Sequence, residues 1–129
     1  MQLSAFQWMT GLRSNMNELL QLSQQATTLT VRIEELRTTA NAIHDERMRF
    51  RNAFQEVLNY VNALSHVWQD ETNEQTTIMF DTYRADIIAM DQFFGDKIEF
   101  LRASADRYEA TLNQVKANAQ ELIRTPRSR

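Results

Sequence analysis

The sequence predicts an all-α fold, a long antiparallel helical hairpin of coiled-coil type, and three observations carry that expectation. Twelve positions from Leu29 to Trp68 follow strictly alternating spacings of four and three residues, and eleven of them are apolar or Trp. A second run with this spacing follows a polar stretch at residues 69–77. With two glycines and one proline in 129 residues, the chain has little material for tight turns or sheet edges, so its elements should be few and long.

The first seam is Leu29, Ile33, Leu36, Ala40, Ile43, Arg47, Phe50, Phe54, Val57, Val61, Leu64 and Trp68. A 3.5-residue repeat sustained this far favours helix packed on helix over an ordinary globular core. Counting back from Leu29 keeps phase through Ala26, Leu22, Leu19, Asn15, Leu12, Trp8 and Ala5, which predicts a single long first helix. Its weak point is Thr27–Val31, where clustered β-branched side chains lose rotamer freedom in a helix. The helix is therefore expected to be continuous or kinked near 27–31.

The polar run places the turn at about 68–73. Asp70 can cap the second helix by accepting a bond from a free amide two or three residues on. Glu71 and Glu74 then complement the positive end of its dipole. The second seam runs through Phe80, Tyr83, Ile87, Met90 and Phe94, slips one residue to Ile98, and continues through Leu101, Ala105, Tyr108, Leu112, Val115, Ala119 and Leu122. The slip is a stutter that locally unwinds a supercoil, and Gly95 sits on it, as a point of close helix approach or as a hinge. Pro126 stops the helix. The expected organisation is one hairpin domain over 1–123 and a flexible basic tail over 124–129.

Folding back near Gln69 and Asp70 sets Arg47 near Phe93, within reach of Asp91 or Asp96. A charge in a seam is costly unless paired, so Arg47 is expected to form a register-setting salt bridge or to face a partner chain. Further apolar residues lie off the seam, among them Leu58, Tyr60, Val67, Ile78, Met79, Ile88, Phe93 and Phe100. They imply a second buried face. Two hairpins pairing into a four-helix bundle would cover it, as would a bent amino-terminal segment folding over as a third helix.

Composition excludes several functions. A net charge of −3 and a pI near 5.4 argue against a general nucleic-acid binder. Although Arg47, Arg49 and Arg51 alternate with Met48 and Phe50, helical geometry is expected to spread those arginines over different faces. Without cysteine there is no disulfide, thiolate catalysis or Cys-ligated zinc. No apolar run approaches the roughly 18 residues of a membrane span, and the first residues lack the pattern of a cleavable signal peptide. His44 and His66 lie 22 residues apart, too far along a helix to share a metal or a proton. Asp81, Asp86, Asp91 and Asp96 recur every five residues and spiral around the helix. No metal site, cofactor site or catalytic constellation is expected, and the chain is read as a non-enzyme.

Trp68 at the hairpin, with Val61 and Leu64 seven and four residues before it and Tyr83 and Met90 fifteen and twenty-two after it, resembles the Trp-x-Gly (WXG-like) family of small helical hairpins handled by type VII secretion systems. The resemblance runs from about Leu29 to Leu122. Two features depart from it: Asp70 replaces the family's Gly, and Tyr108 is followed four residues later by Leu112 where the family's secretion signal has an acid. The resemblance implies a protein partner, in a homodimer or in a heterodimer whose other chain supplies the missing signal. It thereby implies a secreted factor or a targeting and chaperone subunit, cytoplasmic before export. Trp68 and Asp70 would form one recognition end, Phe6, Trp8 and Met9 would dock a partner helix or effector near the other, and Phe93 and Phe100 would serve the second face. The competing expectation is a structural coiled-coil tether or assembly protein unrelated to secretion.

Overall fold

The computed structural model describes the backbone of residues 5–67 and 71–124, and the side chains of 13–67 and 74–124. It holds two helices, α1 (Ala5–Val67) and α2 (Glu71–Arg124), packed against each other as a helical hairpin. The first turn of α2 includes residues 71–73, so the connection is shorter than the 68–73 expected from the polar run. Trp68, Asp70 and the tail after Arg124 lie outside the described residues. Phe6, Trp8 and Met9 fall within α1, but their side chains lie outside them too.

No interruption occurs at Thr27–Val31, so α1 neither breaks there nor folds over as a third helix. The hydroxyls of Thr27, Thr28 and Thr30 donate to the carbonyls of Ser23, Gln24 and Ala26 at 3.0, 3.0 and 2.8 Å. Each threonine thus turns its polar atom back onto the preceding turn, a bonding mode that helices accommodate with at most a slight bend. Leu29 and Ile33 keep the packing face apolar through this stretch.

The chain divides into two compact units, each made of a segment of α1 and a segment of α2. The first comprises Met1–Arg37 and Ala103–Arg129. Its core joins Ile33 to Ala105 and Leu112, with Ala26, Leu29 and Leu36 packed around them. Val115 and Leu122 are buried further along α2. At the edge of this core, Arg37 donates to Asp106 at 3.3 Å and also to Glu109. The two acids raise the Arg37 pKa, Glu109 most. Their i, i+3 spacing puts both carboxylates on one side of α2.

The second unit is Thr38–Arg102. Ala40 and Ile98 are its buried points, and Phe50, Phe54, Phe80 and Phe94 form its aromatic packing. Phe50 meets Phe94 edge-on with centroids 6.5 Å apart, and Phe54 stacks on Phe80 at 6.3 Å, both within the range where ring pairs attract. Arg102 donates to Asn41 at 3.4 Å. These pairs run in opposite directions along the two helices, so the segments are antiparallel.

Candidate partner-binding surface

Seam residues of the 38–102 unit divide into a closed set and an open set. Ala40 and Ile98 are buried, and Ile43, Phe50, Phe54, Val61, Ile87, Phe94 and Leu101 are half-buried between the helices. Val57 and Leu64 on α1, and Tyr83 and Met90 on α2, occupy seam positions by spacing, yet they remain 42–55% exposed. The reason is geometric. Two helices share one narrow contact stripe, and a residue at its margin is covered only when a third helix lies against that margin.

Outside the stripe, Phe93 and Phe100 are 56% and 61% exposed. Tyr60, Val67, Ile78, Met79 and Ile88 are exposed as well. On α1, Val57, Tyr60, Leu64 and Val67 follow one another at three, four and three residues, a short apolar stripe of its own. This open apolar surface sits on helices whose backbone bonds are already satisfied, so helix packing is the interaction it fits.

One groove of this unit, about 380 Å³ in volume, has Phe50, Phe54, Ile87 and Ile88 as its apolar lining and Arg51 with Asp91 at its polar edge. That edge is a three-residue charge cluster. Arg47 donates through Nε and Nη2 to the two oxygens of Asp91 at 3.0 Å each, and Arg51 does the same at 2.7 Å. By helical geometry alone the arginines of this run are expected on different faces. In the structure Arg47 and Arg51, one helical turn apart, instead share a face and a single carboxylate. Arg49 turns away to Glu46. Two guanidinium groups hold the Asp91 carboxyl well below the usual carboxylate range, Arg51 contributing most, and Asp91 in turn raises the Arg51 pKa. Asp96, the other acid considered for Arg47, accepts from Gln92 at 3.4 Å instead.

Gly95 has a specific reason to be glycine. A β-carbon there would lie 2.8 Å from Nη2 and 3.0 Å from Nη1 of Arg47. The stutter residue is thus the floor on which the seam arginine lies flat, and its φ is negative, so close approach and not backbone freedom is what it provides.

In the first unit, Asn15 is only 4% exposed, and neither its amide nitrogen nor its carbonyl oxygen has a hydrogen-bond partner. A groove of about 520 Å³ nearby in sequence is lined by Gln21, Gln24, Gln25, Thr28 and Thr111 over Leu29 and Val115. Among the described residues no group of three or more His, Asp or Glu side chains could hold a metal ion, and no helix is long and apolar enough to cross a membrane.

The chain matches no protein-family model, no curated protein and no solved structure.

Proposed function

We propose that this protein is a non-catalytic helical hairpin that works by packing against another helical protein, as a WXG-like component of a type VII secretion system. It acts there as a secreted factor or as the targeting and chaperone partner of a secreted effector, and is cytoplasmic before export. In this reading paired hairpins form a four-helix bundle, and the partner can be a second copy or a different helical chain. The observation that carries it is the apolar surface left uncovered on the 38–102 unit, where Val57, Leu64, Tyr83 and Met90 keep seam spacing without a covering helix. The Trp68 spacing supports the secretion assignment within the broader class of helix-packing proteins.

The test is the solution mass of the purified chain by light scattering, alone and mixed with the helical products of adjacent reading frames. A defined dimer, or a defined heterodimer with such a neighbour that is exported with it, is the expected result. A well-folded monomer that binds neither itself nor those neighbours overturns the proposal, and a polymer of indefinite length replaces it with a structural coiled coil.

A further inference from the structure

The exposed residues of α2 in the 38–102 unit form a second heptad seam with an internal symmetry. Met79, Tyr83, Asp86, Met90, Phe93, Lys97 and Phe100 follow spacings of four, three, four, three, four and three, and all seven are exposed. The seam runs beside the one covered by α1, so α2 carries apolar residues at three heptad positions, as helices with two helical neighbours do. Its two charges are of opposite sign. Among the described residues neither Asp86 nor Lys97 makes an ion pair, although the Lys97 ammonium lies 5.3 Å from the centre of the Phe93 ring.

We infer that α2 pairs with α2 of a second copy of this chain, antiparallel, about a two-fold axis between Met90 and Phe93. In that register Met90 faces the second copy's Phe93, Tyr83 faces its Phe100, and Asp86 faces its Lys97, each contact occurring twice. All three layers set one heptad core position against the other, which is the layer pattern of antiparallel helices. The parallel, in-register alternative stacks Asp86 on Asp86 and Lys97 on Lys97, and like charges across a seam disfavour it. A two-fold contact must be self-complementary, and the order Tyr, Asp, Met, Phe, Lys, Phe is: each aromatic or charged residue meets a complementary one when the sequence is reversed. Covering Tyr83, Met90, Phe93 and Phe100 on both copies removes on the order of 1,000 Å² from water, about the lower bound for a specific interface. The inference rests on the helix-packing reading above and adds the partner, the helix and its direction.

Charge reversal tests it in the full-length chain. The dimer dissociation constant, measured by sedimentation, should rise roughly tenfold or more for Lys97→Glu and for Asp86→Lys, since each places two like-charge pairs in the seam. Combining the two reversals should restore it to within a few-fold of the parent. Circular dichroism controls for folding, because both side chains are exposed. Since the chain has no cysteine, mixing Tyr83→Cys with Phe100→Cys should give a disulfide-linked mixed dimer. Tyr83→Cys alone should not, its two copies lying ~25 Å apart in this register. A dimer indifferent to the reversals, or not rescued by the double variant, overturns the α2 pairing while leaving the helix-packing reading intact. So does a monomer that dimerises only with a neighbouring helical protein. A monomer that binds neither overturns both.

Discussion

The Arg47 guanidinium occupies the space that a side chain on Gly95 would need: a β-carbon there would lie 2.8 Å from Nη2. A glycine in mid-helix costs about 1 kcal/mol relative to alanine, so the position gives up helix propensity to let a charge lie flat in the seam. With Asp91 four residues earlier accepting four bonds from Arg47 and Arg51, the device consists of a floor, two cations and one shared anion.

The floor can be separated from the cation by a double-mutant cycle. Gly95→Ala alone should change stability by less than about 1 kcal/mol, because the gain in propensity is offset by displacing the guanidinium. In an Arg47→Ala background it should stabilise by about 1 kcal/mol, with nothing left to displace. Urea unfolding of the four proteins measures the coupling, and equal effects of Gly95→Ala in the two backgrounds would show that the contact is energetically idle.

Asp91 should give the chain a specific sensitivity to acid. Its folded pKa is depressed below the unfolded value of about 3.9, so its stabilising contribution is complete above that pH and is lost as pH falls towards the folded value. Asp91→Asn should cost about 1–3 kcal/mol at pH 7, towards the low end because Arg51 is half exposed to solvent. The gap between parent and variant should narrow below about pH 4. Thermal unfolding at a series of pH values decides, and a gap that stays constant down to pH 2 would remove Asp91 as its source.

Asn15 is expected to be a stability defect in the isolated chain. A buried amide with both polar atoms unbonded costs about 1–3 kcal/mol, and a leucine at the same seam position adds apolar burial. Asn15→Leu should therefore raise the midpoint of thermal unfolding. If it lowers the midpoint, Asn15 is bonded in solution.

Phe100 should matter for assembly and little for folding. At 61% exposure it packs weakly within the chain, so Phe100→Ser should shift the unfolding free energy by less than about 1 kcal/mol. Its dimer or heterodimer should nonetheless dissociate at a higher concentration than the parent's. An unchanged assembly would move the partner surface away from this face of α2.

The sequence made the architecture legible because heptad spacing is a local property. Leu29 through Phe54, and Phe94 through Leu122 apart from the exposed Tyr108, identify their own packing faces, and the fold-back register puts Arg47 near Phe93, within reach of Asp91 or Asp96, between which the structure selects Asp91. Spacing was blind to coverage. Val57, Leu64, Tyr83 and Met90 share the period of the buried residues, yet stay open, since the pattern records which face is apolar and not how many helices lie against it. The Arg51 contribution to Asp91 was also hidden, because a side chain's direction across the interface depends on where the facing helix sits. The Arg37 pair with Asp106 and Glu109 left one trace, two acids at i and i+3, whose cation only the fold identifies.

By itself, then, the sequence determined helix, hairpin, phase and the residues able to form a seam, all of which follow from periodicity and the scarcity of turn formers. Tertiary structure decided which seam positions close, which side chain lies over residue 95 and which carboxylate two arginines share. Those depend on distances between atoms some 40 to 70 residues apart in the chain, and such distances are set by packing and not by spacing.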